Sequence, residues 1–250
     1  MKIKKILVSQ PQPTDSEKSP YVELVRKYGV EIDFHKFIKI EGVTARDFRK
    51  DRIYLENYTA IILTSRNAVD HYFRIAKELR FEVPDTMKYF CTSEATAFYL
   101  QKYVQYRKRK IFFGKQTPED LMEVIRKHKD ERFLLPCSDI HKNDLPILLD
   151  EQGIKYDKAI IYKTLASDLS HLDISQYDML VFFSPAGVKS LFKNFPDFEQ
   201  NSTLIGAFGT KTATAVTESN LRLDVCAPTA SAPSMTMALD EYLQKAAKKK

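Results

Sequence analysis

The 250-residue chain is 44% hydrophobic and 29% charged, a globular composition too apolar for disorder and long enough for one large domain or two small ones. No apolar run approaches the ~20 residues of a membrane helix, and Lys2–Val8 is too short in apolar residues for a signal peptide, which predicts a cytoplasmic protein without membrane contact. The net charge is +6, of which Lys248–Lys250 supply half; the remaining body is mildly basic, suited to an anionic ligand and not to nucleic acid.

In chain order, strands are predicted at Ile3–Val8, Ile61–Thr64, Lys88–Cys91 and Ile111–Phe113, with helices at Tyr21–Tyr28, Ala68–Leu79, Glu94–Tyr103 and Pro118–Lys127. A second series follows. Its strands are Phe133–Pro136, Leu180–Phe183, Leu204–Phe208 and Leu223–Ala227; its helices are Asp144–Glu151, Ala186–Asn194, Lys211–Glu218 and Ser234–Ala246. Apolar strands alternating with helices imply parallel sheets covered on both faces.

The two series are copies. Tyr58–Phe73 matches Tyr177–Phe192 at one constant offset, pairing Ser65 with Ser184 and Val69 with Val188. Ser93–Ala97 aligns with Gly209–Ala213, and Leu24–Val30 with Leu148–Ile154, in which Gly29 and Gly153 each close a helix. Two extended segments, Phe34–Ile40 and Lys158–Leu165, occupy equivalent places. If they pair, the chain crosses twice between two lobes. Residues 1–33 and 166–250 then make a discontinuous first lobe, 34–40 and 158–165 a two-stranded connection, and 41–157 the second lobe. Tandem lobes are the alternative that the pattern leaves open.

Several chemistries are excluded. Cys91, Cys137 and Cys226 form no CxxC pair, so they read as reduced, mostly buried thiols rather than a zinc ribbon or disulfide framework. No GxGxxG occurs, and Gly206–Thr212 misses the phosphate-loop spacing. The five histidines lack HExxH spacing, so no metal site is expected.

Serine-containing turns at Leu63–Val69 and Phe182–Val188, the turns Ser93–Ala97 and Gly209–Ala213, and Tyr162 within Ile160–Thr164 together resemble the uroporphyrinogen-III synthase family, over nearly the whole chain. Two places depart from that pattern: Cys91-Thr92-Ser93 stands where the family has a Val-Gly pair, and Ser9-Gln10 where it often has Thr-Arg. The resemblance implies two flavodoxin-like α/β lobes joined by a two-stranded β connection, with the active-site cleft between the lobes. It also implies a monomeric lyase that needs no cofactor and touches the preceding pathway enzyme transiently.

The substrate it implies is hydroxymethylbilane, a linear tetrapyrrole with eight carboxylates. Loss of the hydroxyl gives an azafulvene. The substituted carbon of the last ring attacks it to form a spirocyclic intermediate, and reclosure inverts that ring. Positioning supplies much of such catalysis, with a proton donor at the departing hydroxyl.

Tyr162 is the donor that the resemblance implies; its plain alternative is a strand tyrosine packed between lobes. Strand-to-helix turns present free N–H groups to anions, which selects Ser65, Arg66, Asn67, Ser93, Thr96, Ser184, Pro185, Ala186, Gly187, Gly209, Thr210, Lys211 and Thr212 as substrate-binding candidates. Against this, Ser65 and Ser184 could simply cap helices, Thr96 and Thr212 could pack, and Arg66 and Lys211 could be solvated charges. The basic run Arg107–Lys110 reads as a solvated loop. The rival function is a non-catalytic two-lobed protein binding a small anionic ligand; a nucleotide-sugar glycosyltransferase lacks both length and motif.

Overall fold

The structure, a computed structural model, describes residues 3–248 apart from 16, 116 and 142. The chain divides into two compact units, one running through Lys39 and resuming at Leu165, the other spanning Ile40–Thr164.

The first unit opens with β1 (Lys5–Val8), α1 (Pro20–Tyr28) and β2 (Glu31–Phe34). Ser19 caps α1 by accepting from the Tyr21 N–H, Pro20 occupies its first turn, and Gly29 ends it in the left-handed region at φ 64°. The second unit then runs β3 (Ile38–Gly42), a short α2 (Ala45–Phe48), β4 (Ala60–Leu63), α3 (Arg66–Glu78), β5 (Lys88–Cys91), α4 (Glu94–Leu100), β6 (Ile111–Phe113), α5 (Pro118–Ile125), β7 (Phe133–Ser138), α6 (Asp144–Glu151) and β8 (Tyr156–Ala166). The chain returns to the first unit with β9 (Met179–Phe182), α7 (Pro185–Asn194), β10 (Leu204–Phe208), α8 (Thr210–Glu218), β11 (Val225–Ala227) and α9 (Met235–Lys248).

The first unit's sheet has the order β11-β10-β9-β1-β2, and every neighbouring pair is parallel. The second has the order β3-β8-β7-β4-β5-β6, parallel from β8 through β6. Setting β3 aside, both sheets carry one strand–helix–strand (β1-α1-β2 or β7-α6-β8) beside three successive strands. In the first unit that is the flavodoxin-like order; the second has the same spatial arrangement circularly permuted in chain order, and together they bear out the two-lobed parallel α/β expectation.

Alternation along the strands sorts side chains into one core on each face of each sheet. In β4, Ile61 and Leu63 join one cluster, Ala60 and Ile62 the other. In β9, Met179 and Val181 face one way, Leu180 and Phe182 the other. Most of these strand residues have no exposed surface, as expected for strands sandwiched between helix layers.

Some expectations need correction. Phe34–Ile40 is not one extended segment: Phe34 ends β2, and β3 starts only at Ile38. The break is made by Phe37, whose buried ring packs edge-on against Phe182 (centroids 5.7 Å apart), while its carbonyl accepts from the Ser190 hydroxyl and the Ser167 N–H. Helix α4 stops at Leu100 rather than Tyr103, and α5 at Ile125 with a 3-10 turn over Arg126–His128. The expectation of free, mostly buried thiols holds: Cys91 and Cys137 are buried, and Cys226, on an edge strand, is exposed. Among the described residues no helix is long and apolar enough to cross a membrane.

Candidate active site

In each unit the strand order reverses beside the first strand of the strand–helix–strand half, and the carboxyl ends of the two flanking strands splay apart there. In the second unit these strands are β7 and β4, ending at Ser138 and Leu63; in the first they are β1 and β9, ending at Val8 and Phe182. Ser65–Asn67 after β4 and Ser184–Gly187 after β9 adjoin these two places; Ser93 and Thr96 after β5, and Gly209–Thr212 after β10, lie one strand further along each sheet.

Ser65 follows β4 and caps α3, its Oγ accepting from the Ala68 N–H at 3.1 Å. Ser93 follows β5 and caps α4 through the Thr96 N–H; Ser184 follows β9 and caps α7 through the Gly187 N–H. The capping role given as the plain alternative for Ser65 and Ser184 is thus present at both, and Ser93 caps as well. Capping uses an oxygen lone pair and leaves each hydroxyl hydrogen to donate elsewhere. Thr96 and Thr212 are buried, and the Thr96 hydroxyl bonds Ser93 at 3.1 Å; neither side chain lies at the surface. Arg66 and Asn67 are exposed, and the Arg66 guanidinium sits 5.3 Å over the Tyr99 ring. Gly187 lies against the Ser9 hydroxyl, since a Cβ there would stand 3.7 Å from Ser9 Oγ. Gly209 opens α8 at φ 86° and offers no capping side chain; Thr210 and Lys211 follow it, exposed. Pro185 takes the first position of α7, and Ala186 is half-buried.

Tyr162 owes its orientation to a bulge. Cys137 lies opposite Ile160 but Ser138 lies opposite Tyr162, so Ile161 is an extra residue in β8. The alternation breaks there, and Ile161 and Tyr162 are consecutively buried. Without the bulge, Tyr162 would share the exposed face with Ile160. Its phenol oxygen comes to 3.5 Å from Ser65 Oγ, a long contact in which either can donate. Burial is the main influence on the phenol and raises its pKa; Asp139 and Cys137 add to this, while Ser65 opposes it. Tyr162 is therefore a neutral donor at physiological pH.

Three residues here carried no recognised sequence signal. His71, on α3, stacks on the Tyr162 ring with centroids 5.0 Å apart and planes 20° from parallel. Arg74, one turn on, donates from Nε to His71 Nδ1 at 3.1 Å and from Nη2 to the carbonyls of Val43 and Ile161. Asp139 accepts from the Thr164 and Ile140 N–H groups and from the Ser138 hydroxyl, while its own N–H donates to the Tyr162 carbonyl. Burial works against the Asp139 carboxylate, but these donors outweigh it and hold its pKa below the ordinary value. The spacing of His71 and Arg74 along one helix face is visible in the sequence; what they meet across the sheet is not.

The described residues include no cluster of metal-ligating side chains. The arrangement offers a neutral proton donor, aromatic faces and helix N-termini that attract anions.

The family model described as uroporphyrinogen-III synthase HemD matches residues 19–237. Among solved structures, a uroporphyrinogen-III synthetase of Helicobacter pylori is 18% identical with a TM-score of 0.59, covering 97% of this chain and all of that one. A variant uroporphyrinogen III synthase of Thermus thermophilus is 16% identical with a TM-score of 0.57, covering 99% of this chain and all of that one. At such identities these two speak for the fold. A search of curated protein sequences finds no match.

Proposed function

Because the chain belongs to the uroporphyrinogen-III synthase family, we propose that it closes hydroxymethylbilane to uroporphyrinogen III in tetrapyrrole biosynthesis, with Tyr162 donating the proton to the departing hydroxyl. The electron-rich first pyrrole expels the hydroxyl as that proton arrives, so water leaves, and a cationic azafulvenium remains beside the phenolate. The last ring attacks through its substituted carbon, and the spirocyclic intermediate opens and recloses with that ring inverted. The proton released when the last ring regains aromaticity restores the phenol, so the net loss is one water.

The observation that carries this reading is the bulge that turns Tyr162 inward, beside Ser65, with its phenol pKa raised. A raised pKa makes the phenolate costly, and the Ser65 hydroxyl, free to donate, offsets that cost. The eight carboxylates bind at the carboxyl-end turns: the first-turn N–H groups behind Ser65, Ser93, Ser184 and Gly209 accept anions, and Arg66 and Lys211 add positive charge. Pro185, Ala186 and Gly187 shape the α7 turn against the substrate, as Asn67, Thr210, Thr96 and Thr212 do for their own turns. Positioning by these contacts favours the spirocyclic route over direct closure. The proposal includes a monomer in the cytoplasm that meets the preceding pathway enzyme only transiently.

The test is incubation with freshly generated hydroxymethylbilane, without metal or nucleotide, followed by oxidation and separation of isomers. The type III isomer should predominate. Accumulation of type I alone at the spontaneous rate would overturn the reading and favour a non-catalytic binder.

A further inference from the structure

The amino end of the second unit's sheet, opposite the Ser65 and Ser93 turns, holds a cavity of about 640 Å³. Its apolar lining comes from Ala76 on α3, Met87 and Tyr89 at the start of β5, and Val104 and Ile111 before and in β6. One wall is rigid. The rings of Phe73 and Tyr103 are stacked, 4.5 Å apart and 2° from parallel, and the Tyr103 hydroxyl is tied to Asp70.

Four cations border this cavity, Lys77, Arg80, Arg107 and Lys110, against two carboxylates, Glu82 and Asp85. Asp85 meets Arg107 only at 3.9 Å, with both side chains largely exposed. Among the described residues, Lys77, Arg80 and Lys110 make no side-chain hydrogen bond or ion pair. Cations are favoured near the carboxyl end of α3, which accounts in part for Lys77 and Arg80. It does not account for Arg107 and Lys110, which belong to the loop leading into β6. These two also bracket the basic run of the sequence that the carboxyl-end site leaves unused.

The backbone at the rim of the cavity makes a clean variant available. Arg80 closes α3 in the left-handed region at φ 57°, with the Phe81 N–H donating to the Ala76 carbonyl. Elsewhere positive φ in this region falls to Gly29, Gly153, Asn201 and Asn220, residues that adopt it readily, and to one other arginine, Arg52. An arginine there is strained, and its side chain borders the cavity.

We infer that this cavity is a second binding site, taking a small amphipathic anion: a flat aromatic or alicyclic body carrying two or more acidic groups. The volume lies within the range of small-molecule sites, the aromatic wall receives the body, and the unpaired cations receive the acidic groups.

Naphthalene-1,5-disulfonate is the probe, with 1,5-dihydroxynaphthalene as its neutral counterpart. Titrated into the isotopically labelled chain, the disulfonate should shift amide resonances of residues 76–89 and 103–111 saturably, and the diol should not. Arg80→Gly suits the left-handed turn, so it should weaken probe binding at least fivefold while Tm holds or rises and tetrapyrrole cyclisation is unchanged. Lys110→Gln, outside any helix, should weaken it similarly. No shifts, shifts only at the Ser65 and Ser93 turns, equal response to the diol, or unchanged affinity in both variants would each overturn the inference.

Discussion

The Tyr162 ring lies nearly flat on the imidazole of His71, with 5.0 Å between centroids. The imidazole in turn is held by Arg74, whose Nε–H donates to Nδ1. Because Nδ1 accepts, a neutral His71 carries its proton on Nε2. Arg74 also reaches the carbonyls of Val43 and Ile161, so one guanidinium ties α3 to the bulge that orients Tyr162.

This arrangement has a pH dependence of definite sign. Burial, then the Arg74 cation, hold the His71 pKa below the ordinary histidine value. Below about pH 6.5 the unfolded chain binds a proton that the folded imidazole resists, so stability falls as pH falls through that value. His128 is lowered too, again mainly by burial, and contributes in the same window. The diagnostic is therefore a difference. Urea midpoints from pH 8 to 5 should fall more steeply for the natural chain than for His71→Phe, which keeps a stacking ring without titrating. Parallel profiles would dismiss His71 as the group responsible.

Tyr162→Phe tests the donor. General-acid contributions run to roughly 10²–10⁴-fold, but an electron-rich pyrrole already pushes the hydroxyl out. The loss of kcat should fall near 10²-fold, with residual product still of type III, since shape controls ring inversion. Folding should change little, because the ring still packs on His71. Wild-type turnover in the folded variant would assign the proton to another group.

How far the sequence reached follows from what each feature depends on. Helix starts were legible because caps are local: Ser65, Ser93 and Ser184 each bond an N–H three residues on. The duplication was legible because both copies keep the same turn chemistry, Gly29 and Gly153 closing equivalent helices at φ 64° and 65°. The bulge was not. It exists only in the pairing of β7 with β8, and the run Ile160-Ile161-Tyr162 is apolar in either register. The split between β2 and β3 was missed because Phe37 finds its partner in Phe182, far along the chain. His71 and Arg74 likewise act on strands distant in sequence.

The serine caps should differ in stability cost. Ser184→Ala removes one acceptor from a half-buried cap that Pro185 still supports, worth about 1 kcal/mol. Ser93→Ala also deprives the buried Thr96 hydroxyl of the partner it has in the structure, adding about 1–3 kcal/mol. Urea denaturation should therefore rank Ser93→Ala as the more damaging. The reverse order would mean that Thr96 finds another acceptor.

Gly209 gives the sharpest backbone test. At φ 86° and ψ 145° it occupies a region open to almost no other residue, and a Cβ built there meets nothing within 4 Å. The cost of Gly209→Ala is thus torsional rather than steric, on the order of 1–3 kcal/mol if the turn is kept. Gly29 also has open space around its Cβ, but at φ 64° and ψ 33° it sits in the left-handed well that non-glycine residues do enter, so Gly29→Ala should cost about 1 kcal/mol. If Gly209→Ala instead relieves its strain by rotating the turn, the Gly209 N–H leaves the Ala227 carbonyl, and the first N–H groups of α8 swing with it. Stability would then be partly spared, while KM for the tetrapyrrole rises because an anion contact has moved. A variant with unchanged urea midpoint and unchanged KM would show that the conformation at Gly209 serves neither the fold nor the carboxylates.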